Sequence, residues 1–319
     1  MNPIVQRIYE IGIVPVIAID DAEKAVPLAK ALAKGGLPVA EVTFRTDAAE
    51  EAIKRIVKEV PEMLVGAGTV LTKDQVDRAQ AAGCQFMVSP GFNPEIVKYA
   101  LSKGINFMPG TATPGEMEQA MEMGLDVVKF FPAEQNGGVA KLKAVAGPYK
   151  NLMWMPTGGV NAQNLNDYLS FDKIVACGGT WMVKKDLIEA GNFDEIERLA
   201  REAVNAMLGF SVKHIGINHS KNGESLAAAE LLASVFGFGT KVGSKSVFAS
   251  SQLEMMNGKG PGTLGHIGIA TNNVERAIAH LKMRGVEFDE ESRTYKNGKC
   301  NFIYLKNEIS GFAFHLVTK

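Results

Sequence analysis

The chain has 319 residues, of which 46% are hydrophobic and 22% charged, a composition typical of a folded protein large enough for two domains. Its formal net charge of -1, with acids and bases mixed throughout, argues against nucleic acid or an anionic membrane as the main partner. Three scattered cysteines argue against a disulfide framework, and no stretch is apolar enough to span a bilayer, so we expect a cytoplasmic protein.

Up to about residue 180, short apolar runs alternate with segments of helical period. The eight strand-like runs are Ile11–Ile19, Val39–Phe44, Leu64–Val70, Phe86–Pro90, Asn106–Gly110, Asp126–Pro132, Leu152–Gly159 and Lys173–Gly179. The helical segments between them are Asp21–Lys34, Asp47–Val60, Lys73–Ala82, Pro94–Lys103, Pro114–Met123, Val139–Val145 and Asn164–Leu169. Eight such units predict a (β/α)8 TIM barrel, with a doubly wound open sheet as the alternative. The first unit has no G-x-G-x-x-G motif, which disfavours that alternative.

After a final helix at Phe193–Met207 the pattern changes, so we predict one domain over residues 1–208 and a second over 209–319. Within the second domain, Val212–Asn218 is echoed by Leu264–Ala270. Each copy is followed by a helical segment and then by short alternating strands. The repeat predicts a smaller α+β domain of two β-α-β-β-β modules.

Lys129 lies inside the apolar run Asp126–Pro132, where a charged amine is unusual. Desolvation disfavours the ammonium form and favours the neutral, nucleophilic amine of a Schiff-base lysine. The alternative is a lysine that snorkels to water from a strand end. All five histidines follow residue 210, so the first domain must do any acid–base chemistry with other groups.

Three polar residues near the ends of neighbouring strands are expected to join Lys129. Strand alternation places Glu41, Thr43 and Arg45 on one face, and it places Thr69 on the inner face of the next strand. Together they suit a small α-keto acid: arginine matches a carboxylate, the lysine attacks a carbonyl, and glutamate moves protons. The structural alternatives are a Glu41–Arg45 ion pair and a turn role for Thr69.

Paired glycines follow the last two strands of the predicted barrel, in Thr157-Gly158-Gly159 and Gly178-Gly179-Thr180, each leading into a helix. Glycine lets backbone N–H groups approach a phosphate, and barrels commonly hold phosphate after strands 7 and 8. The two loops therefore predict a phosphate site.

Seven motifs can be compared with known families: Glu41–Thr46, Gly66–Leu71, Ser89–Gly91, Pro109–Pro114, Lys129–Glu134, Pro156–Val160 and Gly178–Trp181. In order and spacing they resemble the 2-keto-3-deoxy-6-phosphogluconate (KDPG) and 4-hydroxy-2-oxoglutarate (KHG) aldolase family over about residues 1–208. The resemblance implies a metal-free class I aldolase, usually a homotrimer, of the Entner–Doudoroff pathway. It implies cleavage of KDPG to pyruvate and glyceraldehyde 3-phosphate, and of KHG to pyruvate and glyoxylate.

By this resemblance Lys129 forms a Schiff base with pyruvate and Glu41 is the general acid–base group. The implied substrate contacts are Arg45, Thr69, Pro90, Phe131, Thr157, Gly158, Gly159, Gly179 and Thr180. Thr180 stands where the family often has serine, which leaves the preference for a phosphorylated aldehyde open. The alternatives are an aldolase for a related substrate such as 2-keto-3-deoxy-6-phosphogalactonate, a phosphate-binding barrel isomerase, and a non-catalytic keto-acid sensor.

The second domain resembles the glyoxalase, bleomycin-resistance and extradiol-dioxygenase superfamily of vicinal-oxygen-chelate folds. In that superfamily, metal ligands come from the first and last strands of each module. The matching residues are His214, Glu254, His266 and His315, a set that suits a divalent metal, with His315 where glutamate is common. The alternative is a structural or regulatory module without metal. The remaining histidines, His219 and His280, are expected at the surface.

Overall fold

The computed structural model describes residues 1–221 and 223–319, which divide into two units, Met1–Met207 and Leu208–Lys319. The helices that begin in the first unit are α1 Pro3–Ile11, α2 Ala25–Lys34, α3 Ala49–Glu59, α4 Lys73–Ala81, α5 Pro94–Ser102, α6 Pro114–Glu122, α7 Gly138–Val145, α8 Leu165–Leu169, α9 Lys185–Glu189 and α10 Phe193–Leu208. Its strands are β1 Ile13–Ile17, β2 Val39–Thr43, β3 Leu64–Gly68, β4 Phe86–Val88, β5 Phe107–Met108, β6 Gly110–Thr111, β7 Val127–Phe130, β8 Met153–Pro156 and β9 Cys177–Gly179.

The strands of the first unit form a parallel barrel. One sheet has the order β5-β4-β3-β2-β1-β9 and another the order β6-β7-β8. Strands β5 and β6 are halves of one strand, separated by Pro109, which has no N–H to donate. Parallel bridges from Trp154 to Ile174 and from Thr157 to Gly178 close the ring on the other side. The structure thus confirms the predicted eight-stranded barrel over the open sheet.

Helix α1 was not predicted, because the first strand was expected to begin at Ile11 in a segment of mixed charge. Asn2 caps the helix by accepting a hydrogen bond from the N–H of Val5. The helix ends at Gly12, whose φ of 78° is left-handed. Val5, Ile8 and Ile11 recur at helical spacing and are buried, so the signal was present but the apolar stripe was narrow.

Helix α2 begins later than predicted. A short 3-10 turn at Ala22–Lys24 precedes it, and the α-helix begins at Ala25. Pro27 therefore lies in the first turn, where its missing N–H leaves no hydrogen bond unmade. The proline that interrupts the helical pattern marks the beginning of the helix and no interior kink.

The second unit contains the two predicted β-α-β-β-β modules. The first consists of β10 Ser211–Ile217, α11 Glu224–Phe236, β11 Thr240–Val242, β12 Ser246–Ala249 and β13 Leu253–Met256. The second consists of β14 Gly265–Thr271, α12 Val274–Met283, β15 Phe288–Lys296, β16 Lys299–Leu305 and β17 Phe312–Thr318. The described strands form one sheet in the order β11-β12-β13-β10-β14-β17-β16-β15. The first and last strands of both modules are therefore neighbours at its centre.

Two further findings concern composition. Among the helices of the described residues, none is both long and apolar enough to cross a membrane. The three cysteines, Cys84, Cys177 and Cys300, all lie in the described part of the chain, and no disulfide joins them.

Candidate active site and candidate metal centre

Lys129 and Glu41 form an ion pair inside the barrel. The Nζ atom of Lys129, on β7, lies 2.9 Å from Oε1 and 3.2 Å from Oε2 of Glu41, on β2. The two side chains are only 5% and 1% exposed, so Lys129 does not snorkel to water and that alternative is wrong. A buried charge needs such a partner, and here the partner is also within reach for direct proton transfer.

Two glycines on β3 provide the space for this pair. The strand register places Gly66 beside Glu41 and Gly68 beside Thr43. A Cβ on Gly68 would lie 2.8 Å from Cγ of Glu41 and closer still to its Oε1, whereas a Cβ on Gly66 would overlap the ring of Phe86. Sequence reasoning missed this role, because a glycine in a strand does not reveal which side chain fills its place.

We expect Gly68→Ala to lower kcat for aldol cleavage by about 100-fold, because the new methyl group must displace the Glu41 carboxylate from Lys129. Steady-state kinetics would measure the loss, and thermal denaturation would check that the barrel remains folded. Gly115→Ala is the matched control, since a Cβ there meets no atom within 4 Å. A Gly68→Ala protein with the kcat of the control would contradict this role.

Arg45 and Thr69 form a second pair. Arg45 Nε donates to Thr69 Oγ1 over 3.3 Å, and Arg45 lies two residues beyond the end of β2. Thr69 adopts a φ of 58°, a strained conformation for a β-branched residue and one that recurs at functional sites. The predicted Glu41–Arg45 ion pair is wrong, since Glu41 pairs with Lys129.

The face predicted for Thr69 also needs correction. The register pairs Val42 with Ala67 and Thr43 with Gly68, so Ala67 shares the face opposite Glu41. Simple alternation would carry Thr69 to that same outer face. The left-handed turn just after β3 redirects the chain and brings the Thr69 hydroxyl to Arg45.

The predicted pocket walls lie beyond the carboxyl ends of their strands. The Phe131 ring, just after β7, has its centroid 5.7 Å from Lys129 Nζ. Pro90 follows β4, and its carbonyl is packed so closely against Gly110 that a Cβ there would overlap it. Thr157 follows β8, and in the described residues its buried Oγ1 has no hydrogen-bond partner. An unmatched buried hydroxyl at the barrel end is available to a ligand.

The glycine loops differ from the prediction in one respect. Gly158 and Gly159 are both left-handed, with φ of 97° and 81°, and Gly179 is covered by the ring of Trp181. Thr180 is exposed in the turn that follows. Helices α8 and α9 begin several residues further on and are short. The loops' own N–H groups are therefore the donors to consider, and the helix ends are not.

The four predicted metal ligands converge in the second unit. His214 Nε2 lies 3.1 Å from His266 Nε2, 3.3 Å from His315 Nε2 and 3.5 Å from Glu254 Oε2. His266 Nε2 is also 3.1 Å from Glu254 Oε2. Donors at the corners of a tetrahedron around a zinc ion, with bonds of about 2.0–2.1 Å, are about 3.4 Å apart. The spacing of the donor atoms therefore fits a four-coordinate divalent cation.

The protonation of this cluster also suits a metal. Burial, and then the neighbouring histidines, lower the pKa of His315 to about 4. Burial and His266 likewise lower the pKa of His214. For Glu254 burial acts in the opposite direction, but hydrogen bonds from His266 and Ser246 outweigh it, so its pKa is lowered. Neutral imidazoles and an ionised carboxylate are the forms that bind metals.

The surroundings of the cluster are aromatic. The ring of Phe302 lies 4.4 Å from that of His315, and Tyr304 lies 5.1 Å from it. Burial raises the pKa of Tyr304 to about 12, so its phenol stays protonated. The Nδ1 atoms of His266 and His315 are buried without a partner in the described residues, so packing rather than outer hydrogen bonds orients these rings.

His280 lies elsewhere in the second unit. It was expected at the surface of helix α12, but it is only 1% exposed. The prediction failed because the buried stripe of α12 is wider than the spacing of its aliphatic residues suggests.

Comparison with known proteins separates the two units. Residues 4–199 match the family model of KDPG and KHG aldolase, and residues 206–316 match that of the Glyoxalase/Bleomycin resistance protein/Dioxygenase superfamily. A 2-dehydro-3-deoxy-phosphogluconate aldolase of Haemophilus influenzae is 50% identical over 202 residues, 63% of this chain and 95% of that protein. The KHG/KDPG aldolase of Escherichia coli K12 is 48% identical over 192 residues, 60% of this chain and 90% of that protein.

A solved structure shares the same part of the fold. It is a KDPG aldolase of Legionella pneumophila, described with pyruvate captured at low pH as a covalent carbinolamine intermediate. It is 36% identical, has a TM-score of 0.61, and covers 62% of this chain and 97% of the Legionella chain. The relatives named here are thus matched over nearly their whole length by the first unit alone.

Proposed function

Because the chain belongs to the KDPG and KHG aldolase family and carries a glyoxalase-superfamily domain behind its barrel, we propose that the barrel cleaves KDPG through a Schiff base on Lys129. Family membership makes it a carbon–carbon lyase. The observation that carries the proposal is the buried Lys129–Glu41 pair within a barrel whose other predicted contacts lie at strand ends. Histidine is absent from the barrel sequence, which leaves the proton transfers to this pair.

The first half of the proposed reaction builds the imine. Lys129 gives a proton to Glu41, and its neutral amine then attacks C2 of the substrate to form a carbinolamine. Glu41 protonates the leaving hydroxyl, water departs, and an iminium cation remains. The carbinolamine described for the Legionella relative supports this order of events.

The second half breaks the carbon–carbon bond. A base, Glu41 acting through water, removes the proton of the C4 hydroxyl, and the C3–C4 electrons flow to the iminium nitrogen. Glyceraldehyde 3-phosphate leaves, and an enamine of pyruvate stays on Lys129. Glu41 returns a proton to C3, and hydrolysis of the imine frees pyruvate and the amine.

The remaining residues are proposed to hold the two ends of the substrate. Arg45 and Thr69, already hydrogen-bonded to each other, would grip the pyruvate carboxylate. Phosphate would lie against the N–H groups of the two glycine loops and the Thr180 hydroxyl. Three residues would wall the pocket between these ends, namely Pro90, Phe131 and Thr157.

We propose KHG as a second substrate, since it presents the same pyruvate half and the Escherichia coli relative is named for both activities. A lactate dehydrogenase-coupled assay for pyruvate, run with KDPG, its galactonate epimer and KHG, tests the proposal. We expect release from KDPG and KHG, with the higher kcat/KM for KDPG. Absence of pyruvate from all three would overturn the proposal, and a preference for the epimer would replace the substrate.

For the second unit we propose a divalent metal bound by His214, Glu254, His266 and His315. The convergence of these donors favours it over a purely structural module. A bound metal would act there as a Lewis acid that polarises a ligand oxygen. The protein residues would fix its position, and the aromatic rings of Phe302 and Tyr304 would limit access of water to it.

Removal of the second domain should leave the aldolase reaction intact. We expect a chain ending at Leu208 to keep the kcat/KM for KDPG, because the Haemophilus relative is matched over 95% of its length by the first unit alone. Pyruvate release by the shortened and full chains would be compared at equal concentration. A large loss in a shortened chain that still unfolds cooperatively would show that the second domain contributes to the active site. The expected homotrimer stays a prediction that sizing of both chains would test.

A further inference from the structure

The loop Thr157–Val160 has three successive carbonyl groups with identified donors. The carbonyl of Thr157 accepts from the N–H of Ala133 over 2.8 Å. The carbonyl of Gly158 accepts from the N–H of Glu134 over 3.1 Å. These two bonds attach the start of the loop to the segment that follows β7.

Two asparagine side chains hold the third carbonyl. Asn161 Nδ2 lies 3.2 Å and Asn164 Nδ2 3.1 Å from the carbonyl oxygen of Gly159. The other ends of both amides are also engaged: Asn164 Oδ1 accepts from the N–H of Asn161, and Asn161 Oδ1 accepts from the N–H of Gln163. Each amide is thus fixed at both ends, so the pair is a rigid support for Gly159.

The planar peptide unit converts this support into a direction. In a trans peptide the C=O and the following N–H point in opposite directions. With the Gly159 carbonyl turned toward the asparagines, the N–H of Val160 must point away from them. By the same rule the N–H of Gly159 points away from Glu134. Within the described residues, neither N–H has an acceptor.

We infer that Asn161 and Asn164 are positioning residues that aim the Val160 N–H, as an additional donor, at the phosphate of the substrate. The inference rests on the proposed function, because it takes the glycine loop to be the phosphate site. Sequence motifs suggested only the glycines for this role, since the asparagines do not touch the ligand themselves. Their action is confined to the phosphorylated half of the substrate.

The experiment compares two substrates in each variant. In Asn164→Ala we expect the KM for KDPG to rise about tenfold, as for the loss of one aligned hydrogen bond to an anion. The kinetics with KHG, which has no phosphate, should stay unchanged, and inhibition by inorganic phosphate should weaken by the same factor as KDPG binding. Asn164→Asp tests the same bond with an isosteric side chain that repels the Gly159 carbonyl.

Asn166→Ala is the matched control, because Asn166 Nδ2 donates to the carbonyl of Ala206, outside the loop, over 2.9 Å. Equal losses with KDPG and KHG, or an unchanged response to phosphate in both Asn164 variants, would overturn the inference. If the wild-type chain releases no pyruvate from KDPG, the proposed function fails. Calorimetric binding of inorganic phosphate to the wild-type and Asn164→Asp chains would then still decide the role of the asparagines.

Discussion

Replacement of Lys129 by methionine should lower kcat for pyruvate release by on the order of 10⁴-fold or more, because no other group can form the imine. Methionine fills a similar volume without an amine. It leaves Glu41 buried without its partner, which by itself would destabilise the barrel by about 3–5 kcal/mol if the carboxylate stayed charged. The kinetic loss must therefore be separated from unfolding.

Two further variants achieve that separation. Lys129→Met combined with Glu41→Gln removes both charges, so the double variant should recover stability without recovering activity. Glu41→Gln alone keeps the nucleophile and should lose about 10²–10⁴-fold in kcat. Lys98→Met, on the exposed surface of α5, is the lysine control. Wild-type kcat in Lys129→Met would contradict the assigned nucleophile.

The full chain, first stripped of metal with a chelator, should take up one equivalent of a divalent cation such as Zn²⁺, Mn²⁺ or Ni²⁺. The donors of the metal centre are already gathered around one point, so little reorganisation opposes binding. At a free metal concentration 100 times the Kd, the second unit should be stabilised by about 2.7 kcal/mol. Calorimetric titration and thermal denaturation would measure the two effects.

His266→Ala should weaken this binding by at least about 100-fold, because it removes the imidazole that contacts both His214 and Glu254. His219→Ala is the histidine control, since His219 hydrogen-bonds the carbonyl of Ile217 and lies outside the cluster. Absence of bound metal in the wild-type chain, or equal affinity in the His266 variant, would contradict the metal centre.

The sequence predicted those features that local pattern and chemical type determine. Lys129 was identifiable because a lysine in an apolar strand is costly unless paired. The two modules of the second domain were identifiable because His214 and His266 occupy the same place in a repeat. Parallel strands bring their carboxyl ends together, so the fold class also indicated where the site would lie.

The remaining features depend on register and on contacts distant in sequence. Glu41 and Lys129 are 88 residues apart, and their pairing distance follows from barrel closure and from the missing side chain at Gly68. Thr69 reached the site through a left-handed backbone conformation that alternation does not anticipate. Asn164 supports a loop through its side-chain amide, a role that its residue type alone does not distinguish from a helix cap.

The most direct measurement of the central proposal is reductive trapping. The wild-type chain is incubated with pyruvate and sodium borohydride, digested, and mapped by mass spectrometry. We predict a reduced pyruvyl adduct on the peptide that contains Lys129, together with loss of activity in proportion to labelling. An unlabelled Lys129, or an adduct on another lysine with activity lost in step, would contradict the account.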